Sequence, residues 1–290
     1  MEDITGGIRL ENHEISVVVY PERGGKTGSV FSKRKQAEVL YQPRDGYGPL
    51  TAGMRFSDAD ASGFDDVFPS MGETWTDPAS GRKMELPDHG EIWTARMAVD
   101  AAGRDSVHMH TEGRCFPYLY EKEIRILENR VRERITVTNR GTEAFPGMWV
   151  CHCLMRMEEG MRLRFPEGSE RLDYIRCCEW PEKIPETIRE WEMPPAGAMM
   201  KFYFREPVRA GECSVVYPRS GVEAVMRFRP EQLPYFGLWM TNGGYRGEAN
   251  FAFEPANGYY DTLGKAAESG TLPMIGAGEK REYEVEIELK

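Results

Sequence analysis

The stretch EKEIRILENRVRERITV (residues 121–137) decides the fold, because charged and apolar residues alternate through most of it. Alternation with a period of two is typical of a β-strand with one packed face and one face in water. Glu128-Asn129-Arg130 interrupts the pattern, so we predict a hairpin of antiparallel strands over 121–127 and 131–137. Residues 280–290 alternate in the same way and are expected to close a sheet.

Short runs of β-forming residues, broken by Gly, Pro, Asn and Asp, continue outward from this hairpin in both directions. Helices are predicted only at 185–191 and 260–267. Many short strands with regular turns indicate an all-β sandwich or barrel. No repeat, low-complexity segment or linker is evident, so residues 1–290 are expected to form a single domain. Further strands are predicted at residues 15–20, 29–31, 38–41, 92–99, 106–111, 145–155, 199–205, 214–217, 224–228, 236–240 and 251–254.

Composition argues against several classes of partner. Of the 290 residues, 40% are hydrophobic and 29% are charged, which is ample for a sizeable core. A net charge of −10 argues against nucleic acid and anionic membranes, since both favour clustered Lys and Arg. No stretch approaches the roughly 20 apolar residues that span a bilayer. The acidic N-terminus is not expected to be a signal peptide, so we expect a cytoplasmic protein.

The cysteines are expected to be reduced thiols, because no secretion signal is evident. In a strand, Cys151-His152-Cys153 would place the two cysteines on one face and His152 on the other. No Cys-x-x-Cys pair is present, and we therefore predict neither a zinc site nor a structural disulfide. The six cysteines are Cys115, Cys151, Cys153, Cys177, Cys178 and Cys213.

Two histidines and one glutamate are candidates for chemistry. His89 lies between Pro87 and Gly90, in the kind of loop where function concentrates, although a backbone carbonyl could equally satisfy a turn histidine. His152 lies in an apolar run, where a satisfied core histidine is more frequent than a catalytic one. Glu254 ends an apolar strand, which is unusual for an acid unless it is paired or functional.

The other histidines favour structural interpretations. His13 lies in a polar stretch and is expected to be solvated. His108 and His110 flank one residue of an alternating segment and therefore share a face. A metal pair would need a third ligand, so a solvated sheet face is the favoured interpretation.

In order along the chain, several weak motifs together resemble the aldose 1-epimerase (mutarotase) family. They extend from about residue 10 to the C-terminus, and six occur in the family's order. Leu86-Pro87-Asp88-His89-Gly90 resembles the family's L-P-x-H-G motif. The others are the opening around Gly24-Gly25, Val67-Phe68-Pro69, the segment from Asn139 to His152, Phe253-Glu254-Pro255 with Asp261, and Gly278-Glu279 before the last strand.

The resemblance implies an antiparallel β-supersandwich of the galactose-mutarotase-like type. His89, His152 and Glu254 fall where the family keeps its two active-site histidines and its catalytic glutamate. Some positions depart from the pattern: Glu73 stands near the place of a sugar-binding arginine, and Glu91 follows His89-Gly90. The acid–base residues are therefore expected to be kept, while the contacts to the sugar have changed.

The implied reaction interconverts the anomers of an aldose by opening and closing its ring. Glu254 is expected to remove the proton from the C1 hydroxyl, and His152 to protonate the ring oxygen. His89 would hold one of these oxygens by a hydrogen bond. Trp239 is predicted to offer an aromatic face to the sugar. Asp66, with Asp65, either binds sugar hydroxyls or lies in a solvated turn; no cofactor is required.

Two other functions fit the same sequence. One is a non-catalytic carbohydrate-binding or sugar-sensing protein on the same scaffold, because fold alone does not choose between binding and catalysis. The other is epimerisation of a phosphosugar, for which Arg55, Arg82 and Arg96 could supply a basic pocket. In each case the partner is a small sugar, and the sequence sets neither its identity nor the oligomeric state.

Overall fold

A computed structural model describes residues 6–77, 80–168, 171–176, 190–192 and 194–290. The described residues form many short strands, the α-helix α1 (Leu263–Glu268), and 3-10 helices at Pro21–Arg23 and Phe56–Asp58. The strands are β1 Ile8–Glu11, β2 Ile15–Tyr20, β3 Lys26–Ser32, β4 Ala37–Glu38, β5 Phe64–Val67, β6 Glu73–Thr76, β7 Lys83–Leu86, β8 Ala98–Ala102, β9 Ser106–Glu112, β10 Tyr118–Leu127, β11 Arg130–Asn139, β12 Phe145–Pro146, β13 Val150–Arg156, β14 Arg162–Arg164, β15 Leu172–Arg176, β16 Glu190–Glu192, β17 Ala198–Phe204, β18 Glu212–Tyr217, β19 Val222–Phe228, β20 Tyr235–Asn242, β21 Ala249–Ala256, β22 Met274–Ile275 and β23 Lys280–Leu289.

Two large antiparallel sheets pack face to face. Within the described ranges, one sheet has the order β1-β2-β3-β5-β13-β21-β20-β17-β15, with β4 paired to β3. The other has the order β16-β14-β18-β19-β23-β11-β10-β9-β8. Two small ribbons, β6-β7 and β12-β22, stand outside these sheets. The predicted all-β, galactose-mutarotase-like antiparallel supersandwich is confirmed.

The predicted hairpin forms the centre of the second sheet. β10 and β11 pair over their full length, from Tyr118 opposite Asn139 to Leu127 opposite Arg130. β23 lies between β11 and β19, so the alternating C-terminal stretch joins the two halves of this sheet. Along all three strands, alternate side chains are buried against the first sheet and the others face solvent.

A cluster of buried charges joins the two sheets through the core. The Nζ atom of Lys122 on β10 lies 2.8 Å from Asp66 Oδ2 on β5 and 2.7 Å from Glu133 Oε2 on β11. The hydroxyl of Thr27 on β3 donates to Glu133 Oε1 at 2.5 Å. All four residues are buried. The pairing compensates charges that would otherwise be costly between two sheets.

Some local predictions differ from the structure. Residues 92–97 are not a strand, because β8 begins at Ala98, and the apolar side chains of Ile92, Trp93 and Met97 are buried from a loop instead. The helix predicted at 260–267 is present as α1. Of the helix predicted at 185–191, residues 185–189 lie outside the described part of the chain, and Glu190 begins β16.

None of the helices in the described part of the chain has the length and apolar character of a membrane span.

Because Lys122 pairs with two buried carboxylates, we predict that Lys122→Met strongly destabilises the fold. The substitution removes the cation and leaves two carboxylates between the sheets, so the free energy of unfolding should fall by about 3–5 kcal/mol. Burial raises the pKa of Glu133, and the loss of Lys122 would raise it further, so the deficit should shrink as the pH falls. Urea unfolding at several pH values measures both effects.

Lys265→Met is the matched control, because it breaks an exposed ion pair with Glu268. This variant should unfold at the same urea concentration as the parent. Equal midpoints for the two variants would contradict a structural role for the buried cluster.

Candidate functional site

A cleft opens on the face of the first sheet that points away from the second sheet. It encloses about 290 Å³, the lower end of the range for small-molecule sites. Strands β13, β17, β20 and β21 form its floor, and loops around Phe56 and His89 form part of its wall. Its lining includes His89, His152, Lys201, Trp239, Glu254 and Asp261.

The floor of the cleft contains a row of side chains that crosses the sheet. Tyr203 is opposite Gly237, and Gly237 is opposite Glu254. The register on either side of them, with Val150 opposite Ala256 and Cys153 opposite Phe253, puts His152 across from Glu254. His152 is in turn opposite Asp65. Pairing of strands far apart in sequence therefore brings His152 and Glu254 onto one face.

Glu254 and His152 are close but do not satisfy each other. His152 Nε2 lies 3.9 Å from Glu254 Oε1, which is beyond hydrogen-bond distance. Both side chains are almost fully buried, at 6% and 2% exposure. Glu254 Oε1 and His152 Nδ1 have no hydrogen-bond partner among the described residues. Glu254 lines the cleft, and its Oε1 atom keeps a hydrogen-bonding capacity that no described residue uses.

Gly237 makes room for the carboxylate of Glu254. A Cβ atom at position 237 would lie only 3.1 Å from Glu254 Oε2. Any larger residue there would therefore press on the carboxylate.

A tight loop holds His89 over this row. His89 has a φ of 57° and Gly90 a φ of 76°, and a Cβ on Gly90 would lie 2.2 Å from the carbonyl oxygen of Phe68. The His89 N–H donates to the Met71 carbonyl at 2.7 Å. The His89-Gly90 part of the motif therefore adopts a backbone conformation that only glycine permits at position 90.

Asp88 and Phe56 orient the His89 ring. Its Nδ1 lies 2.7 Å from Asp88 Oδ1, and the ring stacks on Phe56 with centroids 4.1 Å apart. The edge of the His152 ring lies near, at a centroid distance of 5.0 Å. Asp88 is itself fixed, because its other oxygen accepts from the Phe56 N–H at 2.8 Å.

Burial shifts the pKa values of Glu254, His152 and His89 in the direction that favours the neutral form of each side chain. It raises the pKa of Glu254, an effect that the nearby Lys201 opposes. It lowers the pKa of His152 well below its ordinary value, and the charges of His89 and Lys201 add to this effect. It also lowers the pKa of His89, although Asp88 opposes the shift. Such opposed shifts at neighbouring groups are typical of acid–base sites.

Lys201 and Asp261 complete the polar floor; the sequence did not predict Lys201, and it named Asp261 only as part of the Phe253-Glu254-Pro255 motif. Lys201 Nζ lies 3.2 Å from Glu254 Oε2 and 3.9 Å from Asp261 Oδ2. Asp261 accepts a hydrogen bond from the Tyr203 hydroxyl at 2.6 Å. Lys201 is the one charged residue in the strand AMMKFYF (residues 198–204). This pattern alone does not indicate a buried lysine, because its carboxylate partners are distant in sequence.

Trp239 lines the cleft, and its role as an aromatic platform for a sugar stays a prediction. It is partly exposed, and its indole Nε1 donates to Asn250 Oδ1 at 3.1 Å. The Tyr245 ring meets it edge-on at a centroid distance of 5.5 Å. Trp149 and Trp93 are buried in the core instead.

The structure corrects the interpretation of Asp66 as a substrate-binding residue. Asp66 is a strand residue opposite Cys151, so its side chain points between the sheets and pairs with Lys122. It is also not in a solvated turn, because its side chain is fully buried. Its neighbour Asp65 points to the other face, where Lys26 lies 3.1 Å away and burial raises the pKa of Asp65 to about 7.

The two carboxylates that depart from the family pattern have structural roles. Glu73 accepts from the N–H groups of Leu263 and Gly264 at the start of α1. Glu91 is buried and accepts from the backbone of Arg114 and Cys115 and from the Tyr118 hydroxyl. Neither lines the cleft.

The alternation predicted at residues 151–153 is present. Cys151 and Cys153 face the core between the sheets, and His152 faces the cleft. Cys115, Cys151, Cys153 and Cys213 are free thiols, while Cys177 and Cys178 lie outside the described residues.

The arginines considered for a phosphate pocket do not converge. Arg55 pairs with Asp58, and Arg96 pairs with Glu22 on the surface. Arg82 lines a different cavity, beside Trp75.

On the outer face of the second sheet, His108 pairs with Glu123 and His110 with Asp100, as expected for a solvated face.

Comparison with known proteins identifies a family and a fold. Residues 118–289 match the family model described as a domain of unknown function, DUF4432. No curated protein matches the sequence. Among solved structures, the Slr1438 protein of Synechocystis sp. PCC 6803 superposes with a TM-score of 0.77 at 16% identity, covering 99% of this chain and 96% of that one.

Two further solved structures carry the mutarotase description. A galactose mutarotase-like protein from Lactobacillus casei ATCC 334 has a TM-score of 0.72 and 15% identity, with 98% of this chain and 100% of that chain covered. Another from Clostridium acetobutylicum has a TM-score of 0.71 and 11% identity, with 98% and 95% covered. The resemblance read from the motifs is thereby confirmed at the level of the fold.

The Asp88–His89 contact predicts the effect of Asp88→Asn on His89. The amide oxygen can still accept from the Phe56 N–H, but the negative charge beside the imidazole is lost. The pKa of His89 should therefore fall further below its ordinary value. NMR titration of the His89 ring resonances measures this shift, and Asp100→Asn, beside exposed His110, is the control that should leave His89 unchanged. A titration of His89 that moved to higher pH would contradict the assignment.

Proposed function

Since the chain belongs to DUF4432, a family described as a domain of unknown function, we propose its activity from its own cleft. The proposed activity interconverts the α and β anomers of an aldose by acid–base opening and closing of the ring. The fold shared with galactose mutarotase-like proteins is compatible with this chemistry and does not by itself establish it.

The observation that carries the proposal is the separation of Glu254 and His152. At 3.9 Å, Oε1 and Nε2 cannot bond to each other, but each can bond to a different oxygen of one sugar. The C1 hydroxyl and the ring oxygen are attached to the same carbon atom and fit such a gap. A base on one oxygen and an acid on the other are what ring opening requires.

In the proposed mechanism, Glu254 and His152 together carry one proton at every stage. Ring opening starts with Glu254 ionised and His152 protonated; the C1 hydroxyl gives its proton to Glu254 while His152 gives its proton to the ring oxygen. The open-chain aldehyde then faces a protonated Glu254 and a neutral His152. After rotation about the C1–C2 bond, the same protons return and the ring closes as the other anomer, so the enzyme is regenerated without any cofactor.

His89 has a supporting role in this proposal. A neutral His89 that donates its Nδ1–H to Asp88 presents Nε2 to the cleft as an acceptor for a sugar hydroxyl. Phe56 and Asp88 fix the ring before the sugar arrives, which reduces the entropy lost on binding. Trp239 offers an apolar face for the C–H side of the pyranose.

The charges in the cleft favour a neutral aldose over a phosphosugar. Lys201 is the cation among the described residues that line the cleft, and Glu254 and Asp261 already share it. Glu248 adds a further carboxylate to the lining. An anionic substrate group would meet an excess of negative charge and, among the described residues, no free cation on the cleft floor.

Glu254→Gln tests the base directly. The amide keeps the shape of the side chain but cannot accept the proton, so acceleration of anomer exchange should fall by about 10²–10⁴-fold while sugar binding persists. Polarimetry or one-dimensional NMR of freshly dissolved pure anomers follows the exchange. The matched control is Glu123→Gln, which alters the partly exposed Glu123–His108 pair, 3.5 Å apart, on the outer face of the other sheet.

The control should accelerate exchange as the parent does. A Glu254→Gln variant with parental activity would remove Glu254 from the mechanism. If the parent binds sugars but accelerates exchange of none of a panel of aldoses, the non-catalytic carbohydrate-binding alternative is correct.

The shifted pKa values predict the pH dependence of kcat/KM. Because the mechanism needs Glu254 ionised and His152 protonated at the same time, the plot of kcat/KM against pH should be bell-shaped. Burial raises the pKa of Glu254, so its limb should lie above the ordinary value of about 4.3. Burial lowers the pKa of His152, so its limb should lie below about 6.5. Rates across the pH range, with the spontaneous rate subtracted, test this; a profile that rises with a single limb near neutrality would contradict the pairing.

A further inference from the structure

Lys201 occupies a position from which it controls the proposed base. It lies on β17 opposite Trp239 of β20, with its ammonium group on the cleft face of the sheet. Its Nζ contacts Oε2 of Glu254 at 3.2 Å, the oxygen that points away from His152. Only 13% of the Lys201 side chain is exposed. The contact is therefore made in a largely dry environment, where a charge has a strong effect.

We propose that Lys201 is a positioning residue that keeps Glu254 ionised and holds its Oε2 atom, so that Oε1 stays free to take the substrate proton. This inference rests on the proposed function, because it assigns Glu254 the role of base. It adds a residue that the sequence did not predict.

Electrostatics requires a cation at this place. A carboxylate with 2% exposure would take up a proton if it were alone, and a protonated Glu254 cannot act as base. Asp261 makes ionisation harder still, since its negative charge also raises the pKa of Glu254. Lys201 opposes both effects, and its own pKa is raised by the two carboxylates, so it remains charged.

Among the residues that the structure describes, few other groups near Glu254 could keep it ionised. The titratable side chains that face it from each packed element are His152 on β13, His89 on its loop, Lys201 and Tyr203 on β17, and Asp261 before α1. Tyr203 bonds to Asp261 rather than to Glu254. The two histidines have lowered pKa values, which leaves Lys201 as the permanent cation of this set.

The Asp261 contact also explains how Lys201 is kept in place. Its Oδ2 atom lies 3.9 Å from the ammonium group and accepts from the Tyr203 hydroxyl at 2.6 Å. Tyr203 stacks on Tyr260 with centroids 4.1 Å apart. The long lysine side chain is thus held between two fixed carboxylates instead of extending into the cleft.

The experiment measures the protonation of Glu254 itself. In protein labelled with ¹³C at glutamate side chains, the Glu254 carboxyl resonance is assigned by its loss in Glu254→Gln and then titrated. In Lys201→Met its pKa should rise by about 1–3 units, because an opposite charge within ~4 Å is lost. Lys201→Arg keeps the charge and should restore most of the parental titration. Anomer exchange by Lys201→Met should fall most at low pH and recover as the pH rises.

A second variant should shift the pKa of Glu254 in the opposite direction. Asp261→Asn keeps an acceptor for the Tyr203 hydroxyl but removes the negative charge, so the pKa of Glu254 should fall. This test remains available if Lys201→Met does not fold. The control Lys33→Met, in a partly exposed pair with Glu11 that does not line the cleft, should leave the Glu254 titration unchanged.

The outcomes separate this inference from the proposed function. If the Glu254 titration moves as described but the parent accelerates no anomer exchange, the proposed function fails and the electrostatic control by Lys201 stands. If Lys201→Met and Asp261→Asn both leave the Glu254 titration in place, the inference is overturned, whatever the activity of the parent.

Discussion

The pairing of β13 between β5 and β21 is the constraint on which both the core and the cleft depend. Alternation along this strand sends Cys151 and Cys153 into the space between the sheets and His152 to the opposite face. A slip of one residue would exchange these faces, burying an imidazole in the core and exposing a thiol in the cleft. The same register that packs the sandwich therefore aligns His152 with Glu254.

Much of the fold and part of the site could be predicted from the sequence. The hairpin at 121–137 was predictable because each strand carries its own alternation, and His89, His152 and Glu254 lie in short local motifs. Lys201 and Asp66 were not predictable, since their meaning depends on partners distant in sequence: Glu254 for one, Lys122 for the other. Residues 92–97 were misassigned because a buried loop is as apolar as a strand.

Asp66 and Asp65 show how little a local pattern says about a charged pair. Two consecutive acids before Val67-Phe68-Pro69 suggest a solvated turn or a hydroxyl-binding site. In the sandwich they are strand residues on opposite faces, each paired with a different lysine. Strand alternation decides their roles, and only the register of β5 against β13 shows which acid faces the core.

The two buried lysine clusters differ in where their unbonded carboxylate oxygens lie in the fold. Lys122 joins Asp66 and Glu133 between the sheets, and the Thr27 hydroxyl satisfies the second oxygen of Glu133. Lys201 likewise joins two carboxylates, and both Asp66 Oδ1 and Glu254 Oε1 have no hydrogen-bond partner among the described residues. Asp66 is enclosed between the sheets, whereas Glu254 lines the cleft. Leaving a buried carboxylate oxygen unbonded is costly to stability. Glu254 carries this cost on the cleft floor, where His152 Nε2 lies 3.9 Å from the unbonded oxygen, and this is the reason why we propose an oxygen of the substrate as its partner.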